Sequence, residues 1–300
     1  MRCAVVLLVL LLAFSMAHAA ADPAEPGRFA VGVTTVEVDD ASRHRTLTTE
    51  IWYPARRAGR DAAPRRGSWP LILVAHGLCG FRTNYEYVAT HLVSRGFVVA
   101  APDFPGFNKT VCDTGAPTDF VDGPPLDLSF VCRTLHDRTG PLGRFARHVR
   151  GVATGLVGHS LGGLAVVNAT LIDPAFTAIV PLAPAVSGTG AEPFTELDPR
   201  RAVLVMGGGA DRTISFDAWT RPFFEGLPAP AYLVRIAAGT HSGFTDMDAG
   251  LSAEALAAQQ SLVDRYTAAF FDRYLHGRRR AARWLRDADD GTVLVTGKTR

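Results

Sequence analysis

The six residues Gly158-His-Ser-Leu-Gly-Gly163 constrain this chain more than any other stretch. A largely apolar run, Val152–Val157, precedes them. A second apolar run, Leu164–Leu171, follows and contains neither Pro nor Gly. A short apolar run, glycines around one hydroxyl and a helical stretch read as strand, sharp turn and helix. At the apex of such a turn the backbone is twisted and the side chain is pushed outward. Side chains two before and two after the apex would collide, so both positions must be Gly. Gly163 lets the helix pack close to the sheet. The helix also points its free N–H groups and the positive end of its dipole at the turn.

The rest of the chain supplies a sheet for that turn to sit on. Phe29–Val33 with Val36–Val38, and Leu47–Tyr53, alternate in polarity and read as an antiparallel start. Leu71–Ala75 and Phe97–Ala101 are continuous apolar runs, as strands covered on both faces should be. Further strands are expected at Ala178–Leu182, Ala202–Met206 and Tyr232–Ile236. Helices are expected at Thr83–Arg95, Pro125–Arg138, Ser215–Glu225 and Ser252–Tyr274. Strands alternating with helices predict an α/β fold, a mostly parallel central sheet with helices on both faces. In such sheets chemistry gathers where the strands end.

The chain has 300 residues, 47% of them apolar, enough for one sizeable core. A formal charge of +2 points to no nucleic-acid partner. Arg2, the apolar run Cys3–Phe14 and the small residues Ala17–Ala21 read as a secretory signal, with cleavage after Ala19 or Ala21. The run is shorter than the roughly 20 residues that span a bilayer. The expected organisation is therefore a signal over 1–21, a single domain over 22–277 and a solvated, Arg-rich extension over 278–300. The protein is expected to be secreted or periplasmic, with no stable membrane anchor after cleavage. Cys79, Cys112 and Cys132 then meet an oxidising compartment, which permits one bridge. Cys112 and Cys132 are the better pair, since both fall in one insertion-like region. The alternative places Cys132 on the apolar helical stripe Leu128, Val131, Leu135, simply buried.

Ser160 is the hydroxyl at the turn, and a Ser needs an imidazole to take its proton before it can attack. Only His241 and His276 follow it in the chain. His276 lies beside the basic run Arg278–Arg280 and reads as solvated. His241 follows a strand through a loop able to reach over the sheet, so it is the expected base. Asp211, beyond Gly207-Gly-Gly-Ala210, is the expected carboxylate that orients it, with Asp217 as runner-up. Asp246 and Asp248 are too close to His241 in the chain to aim its far nitrogen. His159 points away from its neighbour's hydroxyl and reads as a pocket or packing residue. The backbone N–H groups of Leu161 and Leu78 are the expected holders of a developing oxyanion. His76 reads as a residue that shapes the loop.

"HGLCGFRTNYEYVATHLVSRGFVVAAPDFPG" together with "GHSLGG" resembles the platelet-activating-factor acetylhydrolase group and its bacterial relatives, the predicted dienelactone hydrolases. Cutinase-like polyester hydrolases are more distant. The resemblance covers about residues 68–275. It implies an α/β-hydrolase fold and serine esterase activity without a metal, and no cofactor is expected. It also implies the usual roles for Ser160, His241, Leu78 and Leu161. Three departures stand out. The strand after the Ser160 helix, "PLAPAVSG", holds no carboxylate, so Asp211 must serve. Dienelactone hydrolases use Cys where this chain has Ser. Ala185 follows Pro184 where polyester hydrolases carry a Trp.

The expected substrate is a small-molecule ester of small to medium acyl chain. Phe81, Phe104, Phe107, Trp219 and Phe244, with His159, are candidates for an apolar pocket, or else ordinary packing. Gly106–Pro125 and Ser187–Arg200 are candidate partial lids. A lipase or phospholipid acetylhydrolase and a polyester hydrolase are the alternatives on the same triad. A peptidase or acyltransferase and an inactive secreted binding protein are the alternatives of a different class.

Overall fold

The computed structural model describes residues 22–186, 197–198, 200–247 and 250–299. The expected signal over 1–21 and most of the second candidate lid lie outside these residues. Among the described residues, eleven strands form one sheet. In spatial order its centre is β5 (Val98–Pro102), β4 (Trp69–Ala75), β6 (Val149–His159), β7 (Phe176–Leu182), β8 (Ala202–Gly208) and β9 (Ala231–Ile236). All neighbours in this run are parallel. β1 (Ala30–Asp40) and β2 (Arg45–Ala55) form the expected antiparallel start, and β2 joins the sheet beside β5.

Every residue of β4 is buried, because both faces of the sheet are covered. Alternate side chains feed two separate cores. Leu71, Leu73 and Ala75 join Leu128, Leu135, Ala165 and Phe223 on one face. Ile72 and Val74 join Leu92, Val157, Phe270 and Phe271 on the other. The first face therefore carries helices Gly123–His136, Leu161–Ile172 and Arg221–Gly226, and the second carries Glu86–Ser94 and Ala253–Tyr274. Among the described residues no helix is long and apolar enough to cross a membrane.

Three expectations are corrected. The expected extension over 278–300 is not a solvated tail where it is described, over 278–299. Residues 279–285 form a turn of helix, and β11 (Val293–Lys298) pairs antiparallel with the whole of β9, Val293 opposite Ile236 and Lys298 opposite Ala231. Its alternation buries Val293 and Val295, while Leu285 is buried by the preceding turn. His276 is not solvated either. Its ring stacks 4.4 Å from Phe97, and burial lowers its pKa to about 4.

The third correction is the disulfide, which joins Cys79 to Cys112 with Cα atoms 5.6 Å apart. Cys132 faces the sheet from its helix, with Sγ 3.4 Å from Thr154 Oγ1, and stays free and buried. The inward stripe that buries it also keeps it from Cys112. Cys112 instead rides the short helix Lys109–Thr114, beside the loop that leaves β4.

A chain ended at residue 277 is expected to be destabilised by roughly 5 kcal/mol, since three apolar burials at about 1.5–3 kcal/mol each are lost. Denaturant unfolding measures this. An unchanged midpoint would return these residues to the role of a loose tail.

Candidate active site

Ser160 stands between the last residue of β6 and the first of the Leu161–Ile172 helix, with φ 57° and ψ −121°. For a residue with a side chain this conformation costs about 1–3 kcal/mol. The surroundings hold it there. Ser160 N–H donates to Leu182 O at 3.0 Å, and Ser160 O accepts from Ala185 N–H at 3.0 Å and from Leu164 N–H at 3.2 Å. A side chain at Gly158 would meet the backbone of Gly162 with its Cβ 2.6 Å from the carbonyl carbon. One at Gly162 would lie 2.6 Å from His76 O, and one at Gly163 would lie 2.8 Å from Pro184 Cα. The hydroxyl of Ser160 makes no cap bond to its own helix.

Asp211 follows β8 and is buried. Its Oδ1 accepts from the N–H groups of Thr213 and Ile214, each at 2.8 Å. Its Oδ2 is 2.8 Å from His241 Nδ1. A carboxylate so placed only accepts, so Nδ1 of His241 carries the proton and Nε2 is left as the basic nitrogen. The loop bearing His241 is clamped by Gln259 of the last long helix. Gln259 Oε1 accepts from Thr240 N–H at 3.0 Å, and its Nε2 donates to Thr240 O at 2.9 Å. This buried glutamine gives no signal in the sequence, where it lies on a helix remote from the motif.

Ser160 and His241 line one cleft of about 310 Å³, together with Leu78, Tyr85, His159, Thr213, Ser242, Thr245 and Met247. Asp217, the runner-up acid, is exposed and paired with Arg221 at 2.8 Å. Asp246 is turned to the N–H of Tyr87. Asp248 lies outside the described residues.

The loop after β4 approaches the turn closely. A Cβ on Gly77 would sit 3.1 Å from Ser160 Cβ. Gly77 N–H donates to the Tyr85 hydroxyl, Cys79 N–H to Phe107 O and Gly80 N–H to Gly77 O. The N–H of Leu78 is left with no acceptor among the described residues. Leu161 N–H is likewise free by position, as the first residue of its helix. His76 is wedged behind this loop. Its Nδ1 bonds Gly77 O at 2.8 Å and its Nε2 accepts from Phe104 N–H at 3.0 Å.

The aromatic pocket expected from the sequence is not assembled. Phe104 and Phe107 are fully buried around the His76 ring. Phe244 is fully buried behind His159, 5.8 Å from its ring. Phe81 stacks under Arg82, and Trp219 packs on the core beside the sheet. None of these lines the cleft; adjacency to a strand end marks the packing under a site as readily as its wall. His159 does line it, buried, with Nδ1 hydrogen-bonded to the Tyr85 hydroxyl at 3.1 Å and its ring 4.4 Å from that of His241. Burial, and then the neighbouring His241, hold the pKa of His159 well below the ordinary value. Of the missed lining residues, Thr213 and Ser242 flank Asp211 and His241 in sequence, which is the signal that marks them. Gly106–Pro125 does not cover the cleft; it anchors the Leu78 loop through Cys112, Phe107 and Lys109.

A model described as "Alpha/beta hydrolase family" matches residues 71–296. A bis(hydroxyethyl) terephthalate hydrolase of Streptomyces coelicolor is 25% identical over 180 residues, which cover 60% of this chain and 49% of that protein. The chain thus spans about half the length of the curated relative it matches.

Burial depresses the pKa of His76 from 6.5 to about 4. The fold needs the ring neutral, so its contribution is complete above the unfolded value and is lost as pH falls from about 6.5 toward 4. The loss from this one residue is about 3 kcal/mol. Stability measured across that range should fall in the wild type and fall less steeply in His76→Gln. Equal slopes would contradict the assignment.

Proposed function

We propose that this chain, which belongs to the alpha/beta hydrolase family, is a secreted serine carboxylic-ester hydrolase working through Ser160, His241 and Asp211. The observation that carries the reading is the 2.8 Å bond between His241 Nδ1 and Asp211 Oδ2, with His241 in the same cleft as the outward-held Ser160. Asp211 fixes the tautomer that leaves Nε2 basic. Nε2 takes the Ser160 proton as Oγ attacks the ester carbonyl. The N–H groups of Leu78 and Leu161 receive the negative oxygen. His241 then gives the proton to the leaving alcohol, and a water repeats the sequence to free the acid and restore Ser160.

The cleft favours small to medium acyl esters. Its volume is about 310 Å³, and Leu78 and Met247 stand exposed at its edge among the hydroxyls of Thr213, Ser242 and Thr245. The Streptomyces relative is named for a terephthalate ester, so bis(hydroxyethyl) terephthalate belongs beside short nitrophenyl esters among the substrates to try. Within the family, the resemblance of the stretch His76–Gly106 supports a reading in the acetylhydrolase and dienelactone-hydrolase group. Export is supported by the composition of residues 1–21 and by the Cys79–Cys112 bridge, which an oxidising compartment permits.

Ser160→Ala should abolish hydrolysis of a nitrophenyl ester, and Asp211→Asn should lower kcat by roughly 10⁴, with Asp217→Asn near wild type. If Asp217→Asn proved the more damaging of the two, the acid would be misassigned. The bridge yields a second expectation, because it holds the residue next to Leu78. Reducing it, with two thiols gained per chain, should lower kcat by up to about 10², as loss of one oxyanion donor does, and leave KM little changed. Undiminished kcat in the reduced protein would show that the loop holds its shape without the link.

A further inference from the structure

The geometry points to a second binding site, for phosphate or sulfate groups, at the end of the sheet opposite the cleft. Two adjoining cavities of about 590 and 450 Å³ open where β4 and β6 begin and where the last long helix ends. They share Arg95 and Arg278 in their walls. Arg28 and Arg150 complete the basic lining of the larger, and Arg279 and Arg280 that of the smaller. Among the described residues that line the two cavities, six guanidinium groups thus meet one carboxylate, Asp272.

Part of this charge has a structural task. Arg95 and Arg278 grip Asp272 at 3.3 and 2.7 Å. Arg150 donates to Leu275 O at 3.3 Å, just past the negative C-terminal end of the Ala253–Tyr274 helix. Arg95 likewise follows the Glu86–Ser94 helix. The remainder is surplus. Arg28, Arg279 and Arg280 are exposed and have no carboxylate or carbonyl partner among the described residues; Arg28 only rests against the Phe29 ring at 5.1 Å. The fold does not need these three, and like charges so gathered repel one another until an anion enters. Guanidinium forks match phosphate oxygens in pairs. Among the described residues the lining of the larger cavity contains no carboxylate, and the cavity has the size of a small-molecule site. The concavity and the spread of charge over two cavities select a ligand with more than one phosphate or sulfate group, free or on a lipid headgroup.

The site is remote from the cleft. β4 alone separates Trp69 from the Gly77 loop by roughly 25 Å, at about 3.3 Å per residue. Binding here therefore does not depend on the esterase reading, and its loss leaves hydrolysis untouched.

The test is titration of the full chain with tripolyphosphate, and flotation with vesicles of cardiolipin, whose headgroup carries two phosphates, in phosphatidylcholine against phosphatidylcholine alone. Wild type and Arg28→Gln/Arg279→Gln/Arg280→Gln are compared. The triple variant should weaken binding by roughly tenfold per guanidinium removed, with nitrophenyl ester turnover unchanged as the check on folding. Tripolyphosphate binding identifies a soluble ligand; binding confined to the anionic vesicles identifies a headgroup. No binding to either probe, or equal binding by the variant, overturns the proposal.

Discussion

The backbone of Ser160 is the constraint on which the rest of the site depends. A φ of 57° at a residue with a side chain persists only where neighbours over-determine it. Here β7 accepts the Ser160 N–H, and the loop after β7 reaches back to its carbonyl. Gly158, Gly162 and Gly163 remove the side chains that would force β6, the helix and the Pro184 loop apart. The strain of one residue is thus held by a sheet whose central strand is buried on both faces. The consequence is chemical: the hydroxyl projects into the cleft and the helix dipole lies behind it.

Three loops must meet at that hydroxyl, and a buried polar chain joins them. Gly77 of the β4 loop donates to Tyr85, and the Tyr85 hydroxyl is hydrogen-bonded to His159, which directly precedes Ser160. The His159 ring lies against His241. Burial, and then the neighbouring His241, hold the His159 pKa well below the ordinary value, which favours a neutral ring beside His241. Gln259 holds the His241 loop from the far side, and the Cys79–Cys112 bridge holds the Leu78 loop.

The strand–turn–helix around Ser160 is legible in sequence because its glycines answer to backbone contacts inside six residues. Asp211 and His241 are legible for a related reason, since each follows a strand through a short loop. What escapes is what depends on distant packing. The pairing of Cys79 with Cys112 follows from which face of the Gly123–His136 helix meets the sheet, and spacing favours the wrong pair. Val293 and Val295 alternate as a strand should, yet the arginines before them hide a partner that only β9 supplies. Phe104, Phe107 and Phe244 lie near strand ends, but whether such a ring walls a cleft or supports it is decided by the residues between, such as His76 and His159.

The central claim is that one activated hydroxyl does the chemistry. It is tested most directly by treating the folded protein with an active-site-directed fluorophosphonate and locating the adduct by peptide mass spectrometry. The account predicts a single phosphonyl group per chain, carried on Ser160. An unmodified protein, or a stoichiometric adduct on any other residue, would contradict it.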